Sequence, residues 1–221
     1  MFKIAAVYTA ITLVELLNYI FQENFPEAQL VNIIDDSLIA EVIRNNGPTK
    51  SVKRKLFIYY EAGFESGADV VLNTCSSVGE IVDFLQPLFD KPIFKIDQPM
   101  AQEAVKTANR IGILATLPTT LGPTKHLVLC EASRLGKQIE IKGALAEGAF
   151  EALTRGDTIE HNKLIKKAAL DIAEDVDVFV LAQGSMARME QELTTLTGKK
   201  VFSSPELGVR ALKNYLLGGG A

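Results

Sequence analysis

Apolar positions in this 221-residue chain come in two textures: short unbroken runs, and longer stretches where they recur every three to four residues. The first is the signature of strands buried on both faces, the second that of amphipathic helices. Read this way, the chain opens with a strand over residues 4–7 and a helix over 11–21. A strand over 30–34 follows and turns through Asp35-Asp36 into a helix over 37–44, which stops at Asn46-Gly47-Pro48. A long helix over 49–66 ends at Gly67, which releases the chain into a strand over 68–72; a helix over 80–88 and a strand over 92–96 complete this half. The second half carries strands over 110–114, 138–141, 176–181 and 200–202. Its helices span 119–134, 145–153, 159–174, 185–196 and 205–217, with Pro205 at a helix start where proline is tolerated. Strands alternating with helices predict an α/β fold with mostly parallel sheets.

The pattern repeats at a period of about 107–108 residues. Lys3-Ile4-Ala5-Ala6-Val7-Tyr8-Thr9 parallels Arg110-Ile111-Gly112-Ile113-Leu114-Ala115-Thr116, and Asp69 to Cys75 parallels Asp177 to Gln183. The repeat predicts two pseudo-symmetric lobes, each a mostly parallel sheet flanked by helices: residues 1–97 with 203–221, carrying Cys75, and residues 98–202, carrying Gln183. Ligands of parallel α/β units gather beyond the carboxyl ends of the strands. Two such lobes facing each other would put Cys75 and Gln183 on opposite walls of an active-site cleft.

Composition narrows the chemistry. A content of 48% hydrophobic and 23% charged residues is that of a globular protein with a substantial core. The net charge of −4 speaks against nucleic-acid and anionic-membrane partners, and the one basic run, Lys50 to Lys55, reads as the first turns of a helix. No apolar run approaches membrane-spanning length, and the first residues lack a signal-peptide pattern, so a cytoplasmic protein is expected. Cys75 and Cys130 have no Cys or His at ligand spacing, which argues against both a metal site and a disulfide framework.

Cys75 ends an apolar strand and enters the small polar turn Cys75-Ser76-Ser77-Val78-Gly79. A reactive thiolate wants such a place, with the following helix favouring the anion and hydroxyls holding a substrate; a packed apolar cysteine is the alternative. Cys130, between Leu129 and Glu131 in a helical stretch, reads as core filler, and His126 and His161 fall on helices away from strand ends. Gly218-Gly219-Gly220-Ala221 reads as a tail.

With these turns in place the chain resembles, over nearly its whole length, the aspartate/glutamate racemase superfamily, which includes hydantoin racemase, maleate isomerase and arylmalonate decarboxylase. Cys75-Ser76-Ser77 occupies the place of the Cys-Asn-Thr turn of glutamate racemases. Ala115-Thr116-Leu117-Pro118-Thr119-Thr120 is similar to their Gly-Thr-Arg-Ala-Thr turn, which holds a substrate carboxylate. Tyr8-Thr9-Ala10 stands where Asp-Ser is usual, and Ala182-Gln183-Gly184-Ser185-Met186-Ala187 stands where hydantoin racemases carry Gly-Cys-Ala-Gly-Met-Ala. The resemblance implies a cofactor-independent isomerase or racemase acting on a small carboxylate substrate, working as a homodimer. Cys75 is then the catalytic acid/base, and Thr9, Asn73, Ser76, Ser77, Thr116, Thr119, Thr120, Gln183, Gly184 and Ser185 are expected to bind substrate.

Gln183 replaces the second thiol, and an amide cannot exchange protons near neutral pH, so symmetric two-base racemisation is in question. Other readings stay open at this point. A single-cysteine decarboxylase or other carbon–carbon lyase, like arylmalonate decarboxylase, uses one thiol as proton donor. Covalent attack on an unsaturated acid, as the likeness to maleate isomerase implies, also needs only one. A small-acid binding protein would use none.

Overall fold

The computed structural model describes residues 1–218; residues 219–221, most of the expected tail, lie outside the described residues. The chain divides into two compact units, Met1–Asp97 with the segment from Pro205 onward, and Gln98–Ser204, so Ser203 and Ser204 go with the second unit.

The first unit is built on a four-stranded parallel sheet of order β2-β1-β3-β4, with β1 Phe2–Tyr8, β2 Ala28–Ile34, β3 Val70–Asn73 and β4 Ile93–Lys95. Its central strands have nearly all of their residues buried because helices cover both faces. On one face Ile4, Ala6, Tyr8, Val70 and Leu72 pack with Leu17 and Phe21 of α1 (Val14–Asn24) and with Val209 and Leu212 of α10 (Ser204–Leu216). On the other, Ala5, Val7 and Val71 meet Val42 of α2 (Ser37–Arg44), Leu56 and Tyr60 of α3 (Lys50–Glu65), and Ile81 of α4 (Gly79–Leu85). The alternation of strand side chains between two covered faces explains the unbroken apolar runs. Thr49 caps α3 by accepting a hydrogen bond from Val52 N at 3.2 Å.

The second unit repeats the topology as β6-β5-β7-β8, with β5 Arg110–Ala115, β6 Glu140–Leu145, β7 Val178–Leu181 and β8 Lys200–Phe202. Helices α5 (Gln98–Thr107) and α6 (Pro118–Arg134) pack on β7 and β5. Ile165, Ala168 and Ala169 of α8 (Thr158–Leu170), Ala149 of α7 (Ala149–Thr154) and Leu193 of α9 (Glu190–Thr197) cover Leu114, Phe179 and Leu181. The repeat is atomic as well as topological. Asp69 Oδ2 accepts from Lys3 N at 2.8 Å, and Asp177 Oδ2 accepts from Arg110 N at 3.3 Å, so each acid fastens the first strand of its own unit.

Several elements differ from the expected ones. Helix α5 was not expected from sequence, although Met100, Ala101, Ala104 and Val105 recur at helical spacing behind Pro99 and are all buried. The strand expected over 138–141 runs on as β6 to Leu145, because β5 offers it a partner at each residue from Arg110 to Ala115. The next helix accordingly starts at Ala149, behind Gly148 at φ 79°. The helices expected over 80–88 and 185–196 are each split, with 3-10 turns at Gln86–Leu88 and Gly184–Met189.

Candidate functional site

Three strand ends of the first unit lie level with one another. Val7 pairs with Asn73, and Asn73 with Lys95, so two residues further on Thr9, Cys75 and Asp97 form a row across the sheet. The pairing persists beyond the strands: Thr74 N donates to Val7 O at 3.2 Å and Ile96 N to Asn73 O at 3.1 Å.

Cys75 is the centre of that row. Its backbone is extended, with φ −122° and ψ 116°, and the chain then turns through the 3-10 segment Ser76–Val78 into α4, a helix of only 7 residues. The helix expected over 80–88 is present behind the thiol but short, and a tight turn leads into it. The turn brings donors to the sulfur directly: the Thr9 hydroxyl, the Ser77 backbone N–H and the Ser77 hydroxyl all hydrogen-bond to it. These donors favour the thiolate, but desolvation of the sulfur outweighs them and pushes the Cys75 thiol up from its ordinary value. Beneath the turn, Tyr60 donates from its hydroxyl to Asn73 Oδ1 at 3.1 Å, and Asn73 Nδ2 donates to Cys75 O at 3.1 Å. Asn73 is fully buried and acts as a strut for the turn, with its polar atoms facing protein groups. Thr9, Ser76 and Ser77 are buried around the thiol.

In the second unit the equivalent place is closed by a side-chain pair. Gln183 Oε1 accepts from Thr116 N at 3.0 Å, and Gln183 Nε2 donates to Thr116 Oγ1 at 2.5 Å. Both ends of the amide are thus engaged on one residue, across the β5–β7 step that corresponds to the β1–β3 step between Thr9 and Cys75 in the first unit. Thr120 is buried; Thr119 is half-buried with its Oγ1 shielded and without a hydrogen-bond partner among the described residues. Neither threonine caps α6, whose N-cap is Leu117 without a side-chain bond. Gly184 and Ser185 begin the 3-10 turn after Gln183 and are half-buried.

Elsewhere, Cys130 departs from its expected place in the core. The buried stripe of α6 is Thr120, Thr124, Leu127, Val128, Glu131 and Ala132, and residue 130 falls off that stripe; its sulfur lies 3.4 Å from Nε2 of exposed His126, so Cys130 does have a histidine at helical i, i+4 spacing, contrary to expectation. His161 is fully buried on α8 with Nδ1 3.0 Å from Asn162 Oδ1, and burial pulls its pKa down. Among the described residues no group of three or more His, Cys, Asp or Glu side chains is arranged to hold a metal ion, and no helix is long and apolar enough to cross a membrane.

A family model for Asp/Glu/hydantoin racemases matches residues 7–212. The chain belongs to this family. Solved racemases share its fold at low identity. Glutamate racemase from Francisella tularensis, in complex with D-glutamate, superposes with TM-score 0.79 at 12% identity, covering 99% of this chain and 82% of that one. Picrophilus torridus aspartate racemase gives 0.77 at 13% identity, covering 97% and 94%. Allantoin racemase from Klebsiella pneumoniae gives 0.71 at 17% identity, covering 100% and 90%. A search of curated proteins gave no match.

For a member of the Asp/Glu/hydantoin racemase family, one side chain in the Cys75 row was passed over in the sequence: Asp97. It is 2% exposed, and its Oδ1 has no hydrogen-bond partner among the described residues. The signal was present, because Asp97 follows the Ile93-Phe94-Lys95-Ile96 run as Cys75 follows Val70 to Thr74. Residues just beyond the carboxyl ends of parallel strands face the ligand side of the sheet, and Asp97 is one of them.

Proposed function

We propose that this protein is a cofactor-independent racemase or isomerase of small carboxylic acids in which Cys75 is the acid/base group. What carries the reading is the sulfur itself: a thiol at a strand end, set in hydrogen-bond donors from Thr9 and Ser77 that hold its thiolate form once the proton has left. Family membership supports racemisation as the reaction class, and a carboxylate on the substrate is part of the proposal. Thr116, Thr119, Thr120, Gly184 and Ser185 are assigned to substrate binding on the same reading, as are Thr9, Ser76 and Ser77, while Asn73, expected to bind substrate, instead supports the Cys75 turn from below. Gln183 acts there by holding Thr116. A cytoplasmic homodimer that needs no cofactor completes the proposal, and sedimentation of the purified protein tests the dimer.

A second reading has its own support. Gln183 is a neutral amide bonded at both ends to Thr116, so it offers no second proton-transfer group, and a thiol pushed up by desolvation rests as S–H. A lone S–H suits a lyase that protonates a carbanion after carbon–carbon cleavage. Incubation in deuterated water with a panel of amino, hydroxy and malonic acids separates the two. Deuterium incorporation with inversion supports the racemase, and product formation without inversion the lyase. Binding that survives Cys75→Ala, with neither exchange nor product, overturns both.

A further inference from the structure

We propose that Asp97 is a positioning residue for Cys75: a buried carboxylate beside the thiol that keeps the proton on sulfur in the free protein and so sets the pH at which Cys75 ionises. The proposal rests on reading Cys75 as the proton-transferring group, and its test needs no substrate.

Three observations carry it. The sheet register places Asp97 level with Cys75 on the adjacent strand, closer in the row than any other acid. Ser76, the residue after the thiol, hydrogen-bonds the Asp97 carboxylate through its side chain, so the acid is docked on the Cys75 turn itself. The carboxylate is also without a direct ion pair among the described residues, although the nearby Lys95 charge favours its ionised form. Lys95, two residues before it and 8% exposed, directs its Nζ to Asp83 at 2.8 and 3.0 Å, leaving Oδ1 of Asp97 unbonded among the described residues. A buried acid with one oxygen unsatisfied is costly to a fold, and such groups are retained where they act on a neighbour.

The surroundings are otherwise sparing in charge. From α4 come Asp83, engaged with Lys95, and exposed Glu80; from α3 comes the Tyr60 hydroxyl, bonded to Asn73. Helix α10 packs on Ile96 through Gly208, where a Cβ would stand 2.5 Å from Ile96 O, and its charged Glu206 and Arg210 are exposed and paired with each other. Asp97 is therefore the acidic group with the shortest path to the sulfur. Its negative charge adds to desolvation in holding the thiol protonated, while burial raises the carboxyl's own pKa. Hydrogen bonding from the Ser76 side chain opposes that rise and favours the ionised carboxyl.

The experiment follows the rate of alkylation by iodoacetamide against pH in a Cys130→Ala background, which leaves Cys75 as the only thiol of the chain. Asp97→Asn removes the charge and keeps the shape. Its ionisation midpoint is expected to fall by about one unit, raising the alkylation rate at pH 8 by up to about tenfold. Asp97→Glu keeps the charge and is expected to retain the high midpoint. If Asp97→Asn does not fold, as judged by circular dichroism, Asp97→Ser replaces it with the same expectation. A midpoint unchanged or raised in the neutral variant overturns the proposal, as does an equal fall with Asp97→Asn and Asp97→Glu, which would mark a packing effect. Since alkylation reports on the thiol alone, a failure here leaves the racemase reading standing, and loss of the racemase reading in the deuterium experiment leaves this result intact.

Discussion

At the end of β3 the first unit presents a thiol, and at the end of β7 the second presents a glutamine, on the same strand order and each beside a threonine. The neighbours differ as much as the central residues do. Around Cys75 the donors converge on a weak acceptor, and the nearest carboxylate lacks a partner for one oxygen. Around Gln183 two strong dipoles close on each other and satisfy both. The outer strand ends continue the contrast. Asp35 follows β2 with its N–H bonded to Tyr8 O, while Ala146 follows β6 with its N–H bonded to Ala115 O. One scaffold thus carries an acid-rich, incompletely satisfied row in the first unit and a neutral, satisfied one in the second. The thiol and the unpartnered carboxylate oxygen are what the first row has free to act on a neighbour, while Gln183 in the second is occupied with Thr116.

The largest effect that would break this comparison is at the thiol. Cys75→Ala is expected to lower the rate of solvent-deuterium exchange by about a thousandfold, the middle of the range for removing a general acid or base, whereas Gln183→Ala should retain part of it. Equal loss in both variants would make the two rows equivalent.

The scaffolds can be tested one step down. Ala5 pairs with Val71 in the first unit, where Gly112 pairs with Phe179 in the second. A Cβ on Gly112 would stand 2.7 Å from the Phe179 ring, so the smaller residue on β5 accommodates the larger one on β7. Gly112→Ala should cost about 2 kcal/mol in urea unfolding, and adding Phe179→Val should recover part of it. Additive losses would mean that the two pairs are not exchangeable solutions to one packing problem.

Gln183→Ala tests the closed pair itself, since it leaves Thr116 N without its acceptor. A loss of about 1–2 kcal/mol is expected from the same unfolding measurement, and no loss would mean that water replaces the amide freely.

The smallest effect concerns Asp35. Burial works to raise its pKa, but hydrogen bonds from the Ser37 side chain, Tyr59 and Lys55 and from the Ser37 backbone bring it down to about 2. A carboxyl depressed on folding contributes stability that is full above its unfolded value near 4 and is lost as pH falls towards 2. With Lys55 partly in solvent, Asp35→Asn should cost about 1 kcal/mol at pH 7 and only a small part of that at pH 2. A difference that persists undiminished at pH 2 would assign the cost to packing.

Much of this could be read before the structure. Unbroken apolar runs at residues 4–7, 70–72, 111–114 and 178–181 marked strands covered on both faces, and the Asp69/Asp177 spacing marked two copies of one unit. Helix α5 was not among the expected elements, although its buried positions recur at helical spacing and Pro99 stands in its first turn, where proline is tolerated. Cys130 was misplaced because its apolar neighbours suggested burial, while the face a residue occupies depends on its phase along the helix.

By itself the sequence determined the α/β class, the half-chain repeat and Cys75 as the strand-end residue to watch, since periodicity and turn chemistry are local properties. Only the tertiary structure decided that Asp97 lies level with Cys75, that Ser76 joins them, and that Gln183 is engaged by Thr116. These relations link residues 22 and 67 positions apart along the chain, and strand register sets them. A residue's chemistry depends on which neighbours desolvate or satisfy it, and in a parallel sheet those neighbours come from other strands.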